Sequence, residues 1–156
     1  MTFGDLFRKW ELENIKLSIG FAEVEFSPTE DDQVAAWEMY VELLTRITTQ
    51  PLDKESGDEE TALANIYSIF PVTREILKSK GRKAKEFTKV AIIVLNQVIR
   101  PFTAKWHKKK IEGAFLEPNN CDLFREELKT LQSELKCYLH LLADMSNVED
   151  LSEIWE

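Results

Sequence analysis

The sequence predicts a mainly α-helical, single-domain bundle of about five to six helices, with a small β-hairpin or strand element at its N-terminal edge. Three observations lead there. First, 156 residues with 44% hydrophobic and 31% charged content suit one globular domain with its own core. Second, only five glycines and five prolines punctuate the chain, which favours long helices over many short strands. Third, apolar residues recur at spacings of three and four over most of residues 27–156, and at a spacing of two only between Ile15 and Phe26.

Phe3, Leu6, Phe7 and Trp10 have the spacing of a short amphipathic helix. Ile15, Leu17, Ile19 and Phe21 then alternate, as do Val24 and Phe26 on the other parity, with Gly20 between them. This predicts the β element, which completes residues 1–26. Ser27-Pro28-Thr29-Glu30 reads as a helix start, with Ser27 as cap, Pro28 first in the helix and Glu30 closing a capping box. The helix is expected to reach Thr49, with Val34, Trp37, Val41, Leu44 and Ile47 facing the core, before Pro51 stops it.

Asp58 is the expected cap of the next helix, with Leu63, Ile66, Tyr67 and Phe70 turned inward. Pro71 is expected to kink or split it, and Gly81 to end it after a cationic last turn. A helix over 83–100 is apolar nearly all round from Val90 to Leu95, which places it at the bundle centre. Pro101 should break or bend the path before Phe102 to Phe115 continues helically, until Gly113 and Pro118 end that stretch. The last long helix runs from about Cys121 to Met145 on a stripe of Phe124, Leu128, Leu131, Leu135, Tyr138, Leu139 and Leu142. Ser146-Asn147 is the expected cap of a short final helix ending near Trp155.

Cys121 and Cys137 on one helix would stand about 24 Å apart at ~1.5 Å per residue, too far for a disulfide. We therefore expect reduced thiols and a cytoplasmic location. No continuous apolar core marks a signal peptide in Met1 to Trp10, and the longest apolar run, Val90 to Leu95, is too short to span a membrane.

The net charge of −8 hides a strong asymmetry. From Arg74 to Lys110 the chain carries twelve basic residues and two acidic ones, a net +10, against −18 elsewhere. Such a division points to an anionic partner for the middle segment, with the acidic flanks as counterweight.

The string Ala35-Ala-Trp-Glu-Met-Tyr-Val-Glu-Leu-Leu-Thr-Arg-Ile-Thr-Thr-Gln-Pro51 has companions in Gly57-Asp-Glu59, Thr73-Arg-Glu-Ile-Leu77 and Val94-Leu-Asn-Gln-Val-Ile-Arg-Pro-Phe-Thr-Ala-Lys-Trp-His107. Together they resemble a family of uncharacterised bacterial helical domains, some of which follow a membrane anchor. The resemblance covers roughly Ile15 to Leu151 and carries over no catalytic residue. What it implies is a place in prokaryotic defence or signalling loci.

The basic segment is the first candidate for chemistry. Lys105, Lys108, Lys109 and Lys110 cluster beside Trp106 and His107, and Arg74, Lys78, Arg82, Lys83 and Lys85 surround the Gly81 turn. Cations neutralise phosphates, and an exposed aromatic stacks a base. On one side of a bundle the two clusters would make a groove for RNA or a nucleotide messenger. The opposing reading has them solvating helix surfaces and pairing with the acidic flanks, with Trp106 in the core.

Arg100 followed by six residues and His107 resembles the motif of HEPN ribonucleases, small helical bundles that usually act as dimers. A histidine can move the proton of an RNA 2′-hydroxyl, and an arginine can stabilise the charged phosphorane. Seven residues on one helix bring both side chains to one face. Against this, Pro101 stands where the motif usually has a polar residue, and a residue before proline is pushed out of helical geometry.

His107, His140, Cys121 and Cys137 lack metal-ligand spacing, so we expect no metal and no other cofactor. Glu38 and Glu42 share a face, but Arg46 follows Glu42 by four as an ordinary ion pair. No glycine-rich phosphate loop and no Gly-x-Ser-x-Gly elbow is present.

The sequence therefore favours a non-catalytic binding or signalling module. Its expected ligand-binding residues are Arg74, Arg82, Lys83, Arg100, Lys105, Lys108 and Lys109, and its partner an RNA, a cyclic oligonucleotide or an acidic protein surface. The alternatives are a ribonuclease using Arg100 and His107, as a homodimer, and a protein-docking domain using an apolar face or the acidic C-terminal residues Glu149, Asp150, Glu153 and Glu156.

Overall fold

The computed structural model describes residues 1–46 and 50–154. The chain is mainly helical. Its helices are α1 (Phe3–Lys9), α2 (Ile19–Ala22), α3 (Glu30–Leu44), α4 (Glu59–Tyr67), α5 (Ile69–Lys80), α6 (Lys85–Val94), α7 (Arg100–Ile111) and α8 (Pro118–Ser146). A 3₁₀ turn joins α5 to α6, and a π-helical turn over Leu95–Ile99 joins α6 to α7. The long α8 lies chiefly against α3, which also packs on α5 and α6, while α4 packs on α7. Among the described residues no helix is long and apolar enough to cross a membrane.

The expected β element is not there: among the described residues no strand forms, and Thr2 and Glu25 make an isolated antiparallel bridge. The alternation has another origin. A lone two-stranded hairpin is marginal in water, and the segment instead uses partners elsewhere. The Gln97 side-chain amide bonds both backbone groups of Lys16, accepting from its N–H at 2.7 Å and donating to its carbonyl at 2.8 Å. Ser18 caps the single turn of α2, and Phe21 and Phe26 pack their rings on Phe3 at 4.6 and 5.4 Å.

Thr29, not Ser27, caps α3, because Asp32 rather than Glu30 completes the capping box. The inward face of α3 also differs from expectation. Ala35, Ala36, Met39, Tyr40 and Leu43 are fully buried, while Val34, Trp37 and Val41 are about two-fifths exposed. The small alanines let α3 approach its neighbours closely. Ile47 and Thr49 lie outside the described residues.

Asp58 caps α4, as its position before Glu59 predicts, and its hydrogen bonds with Thr61 hold its carboxyl below the ordinary aspartate value. The expected split near Pro71 falls at Ser68, which ends α4 and opens α5. Pro71 then sits in the first turn of α5, where a missing N–H costs nothing. Gly81, at φ +64°, ends α5, and Gly113, at φ +82°, follows α7.

Pro101 does not break the path. In the π-helical turn the Arg100 N–H reaches back five residues to the Leu95 carbonyl. Pro101 therefore falls in the first turn of α7, and the helical run continues from Lys85 to Ile111. Pro118 starts α8 instead of ending the stretch before it.

No helix follows α8 among the described residues, and Trp155 lies outside them. Asn147 adopts a left-handed conformation, stops α8 and turns the chain back. There the Tyr40 hydroxyl donates to Asp150 Oδ1 at 3.1 Å and accepts from the Leu151 N–H at 2.6 Å. Asp150 Oδ2 also pairs with His140 Nδ1.

Candidate ligand-binding face

The continuous α6–α7 run decides the geometry of the basic segment. With α7 unbroken, Arg100 and His107 lie two turns apart on one face of a helix. Arg100 is exposed and His107 half-buried. The face meets the C-terminal end of α4 and the first turns of α5. Here Tyr67 is 47% exposed, a departure from the core position its spacing suggested. Its ring lies 5.0 Å from the His107 ring in an edge-on contact, and 5.4 Å from the ring of Phe70.

Phe70 joins Arg74 of α5 to Arg100 of α7. It is buried, 2% exposed, and two guanidiniums cover it, Arg100 at 4.8 Å from the ring centroid and Arg74 at 5.9 Å. Arg100 Nε also donates to Asn96 Oδ1 at 3.1 Å. Among the described residues, Arg74 and Arg100 have no carboxylate within ion-pair distance. Arg74 and Lys78, one turn apart on α5, line a shallow depression with Pro71 and Glu75.

Other cations of the segment are neutralised within the chain. Lys105 pairs with Glu127 at 2.5 Å, Lys110 with Glu60 at 2.9 Å, Lys80 with Glu38 at 2.9 Å and Lys89 with Glu86 at 3.2 Å. Lys105 and Lys109 also lie over the Trp106 ring, at 5.5 and 5.6 Å. Trp106 is fully buried and stacks with Phe115, so it belongs to the core and offers no platform for a base.

Of the seven predicted binding residues, the structure thus brings Arg74 and Arg100 together at Phe70, with Lys108 exposed on the next turns of α7. Lys105 and Lys109 turn toward α8 and Trp106. Arg82 and Lys83 are exposed on the 3₁₀ turn beyond α5, whose last residue is already about 9 Å along the helix from Arg74. Tyr67 and Phe70 are the residues the sequence reading assigned to packing alone. The spacing Phe70–Arg74, four apart on one helix, was the available signal.

The remaining chemical groups lie elsewhere. Cys121 and Cys137 are unbridged and half-buried on α8, and burial pushes both thiols up. Among the described residues no three His, Cys, Asp or Glu side chains converge as metal ligands. Comparison with protein-family models, curated proteins and solved structures gives no match for this chain.

Proposed function

We propose that this protein is a non-catalytic binding module that takes an anionic partner on the face formed by the α4–α5 junction and α7. The observation that carries this reading is the pair of guanidiniums, Arg74 and Arg100, that stand against one buried ring with no carboxylate partner among the described residues. Elsewhere in the segment, Lys80, Lys105 and Lys110 have found glutamates. Cations without internal partners, gathered on one face, are the electrostatic footprint of an anion-binding surface. Arg82, Lys83 and Lys108 extend the field around this centre.

The experiment is a titration with single-stranded RNA and with an acidic peptide across a salt series, using wild type and a variant with Arg74, Arg82, Lys83, Arg100 and Lys108 all changed to glutamine. The reading expects salt-sensitive binding by wild type and a strong loss, with a flatter salt dependence, in the variant. Salt-insensitive or equal binding by both contradicts it. Placement of the module in bacterial antiviral defence rests on the sequence resemblance alone.

A second reading is a metal-independent ribonuclease using Arg100 and His107. The observation in its favour is the π-helical turn, which removes the expected break and sets both residues on one helical face. Cleavage of mixed RNA by wild type and by His107→Ala decides it. Equal products from both remove the reading.

A further inference from the structure

The proposed binding face contains a more specific arrangement than a field of positive charge. Two arginines from different helices stand against one ring, and a half-exposed tyrosine adjoins the same ring at 5.4 Å. Among the described residues neither guanidinium has a carboxylate within ion-pair distance, so an incoming anion meets positive charge that the chain has not already neutralised. Guanidinium is the cation best matched to phosphate, which it can meet with two parallel hydrogen bonds. Arg100 is further oriented by its bond to Asn96, which occupies Nε and, among the described residues, leaves its outer nitrogens without a hydrogen-bond partner. Stacking against Phe70 limits the freedom of both side chains, so less entropy is lost when an anion binds.

Tyr67 supplies what a simple anion site would not need. An exposed aromatic ring beside two phosphate-binding groups is the combination that recognises nucleotides, because every base has a face to stack and every linkage a charge to neutralise. His107, in edge contact with Tyr67, adds ring nitrogens at the margin. A surface of carboxylates alone would use the arginines and has no base to place on the tyrosine.

Resting on the anion-binding reading above, we propose that this face is a subsite for phosphodiester-linked nucleotides, with the phosphate backbone held by Arg74 and Arg100 and one base stacked on Tyr67. A single-stranded RNA and a cyclic dinucleotide share this chemistry, and the test separates them.

The test is anisotropy titration of a short labelled single-stranded RNA, its abasic counterpart of equal length, and polyglutamate at low salt, with unlabelled cyclic dinucleotide as competitor. The proteins are wild type, Arg74→Gln, Arg100→Gln, the double variant, Tyr67→Ala, and a control variant with Arg82→Gln and Lys83→Gln; circular dichroism checks each fold. Arg74→Gln and Arg100→Gln are expected each to weaken RNA binding about tenfold, with the double variant departing from additivity because both serve one backbone. Tyr67→Ala is expected to weaken RNA binding by about tenfold and abasic binding hardly at all. Competition by the cyclic dinucleotide assigns the site to that messenger class, and failure to compete assigns it to linear strands. If the Arg74, Arg100 and Tyr67 variants bind like wild type while the control variant loses affinity, the subsite is wrong and the general basic face stands. Polyglutamate binding as tightly as RNA overturns the nucleotide class. Absence of binding to every probe overturns both.

Discussion

The Asp32 carboxylate accepts a hydrogen bond from the Phe87 backbone N–H at 2.9 Å, so one buried side chain serves two helix N-termini. Its other oxygen accepts from the Thr29 N–H at 2.8 Å at the start of α3. The first turn of α6 needs this help, because it begins at Ala84, whose side chain cannot cap. Thr29 also donates to the Lys83 carbonyl at 3.4 Å, which ties the α3 start to the basic 3₁₀ turn. Asp32→Ala should destabilise the fold by about 2 to 4 kcal/mol, the loss of a cap plus a stranded buried N–H. Urea unfolding measures it, and an effect below about 0.5 kcal/mol, the range of ordinary surface substitutions, contradicts the double cap.

A second clamp holds residues 53–57 ahead of α4. Arg125 on α8 donates through Nε to Glu59 at 2.9 Å, and its outer nitrogens reach the carbonyls of Asp53 at 3.0 Å and Gly57 at 2.9 Å. A lysine offers a point charge and cannot reproduce this fork. Arg125→Lys is expected to lose about 1 to 3 kcal/mol and to speed proteolysis between Leu52 and Gly57. Unchanged protection of that loop would show that the fork is dispensable.

The orientation of α3 gives a contrast within one helix. Val34 and Val41 are exposed, Val41 at a groove between α3 and α5, whereas Met39 is fully buried. Val34→Thr and Val41→Thr should each stay within about 0.5 kcal/mol of wild type. Met39→Ala should cost about 2 to 5 kcal/mol. The reverse order in thermal unfolding would restore the face that periodicity alone favoured.

Acid should release the C-terminal segment. Burial pushes the Asp150 carboxyl up, but hydrogen bonds from His140 and Ser152 outweigh it and hold the group below 3.8, the ordinary aspartate value. A depressed carboxylate contributes stability that is fully present above its unfolded value and lost as pH falls through its folded value. Protection of the Leu151 N–H, bonded to Tyr40, measured against its intrinsic exchange rate at each pH, should therefore fall only below pH 3.8. In Asp150→Asn the acid-dependent step should vanish; its persistence would assign the step to another group.

Much of the fold could be read from local chemistry. Asp58, Gly81 and Gly113 mark helix ends through capping and positive φ, and the α8 stripe from Phe124 to Leu142 is buried as its period requires. What escaped depends on contacts distant in sequence. The amide of Gln97 satisfies Lys16 across 81 residues, so an extended segment exists without a strand partner. The face of α3 was misjudged because Val34, Trp37 and Val41 outrank Ala35 and Ala36 in hydrophobicity, while close helix packing favoured the small residues. Proline rules alone placed a break at Pro101, and the π-helical turn absorbed it. The binding face was legible as charge but not as geometry. Nothing local shows that Arg74 and Arg100 share Phe70, or that Glu127 and Glu60 claim Lys105 and Lys110.

The most direct measurement is a map of backbone amide chemical-shift changes as single-stranded RNA is added. Shifts should concentrate at Tyr67, the first turns of α5 through Lys78, and Asn96 to Lys108, with α1 and the stretch from Gln132 to Met145 silent. Shifts centred on α1 or the C-terminal half of α8, or none at all, would contradict the cationic face as the place where this protein meets its partner.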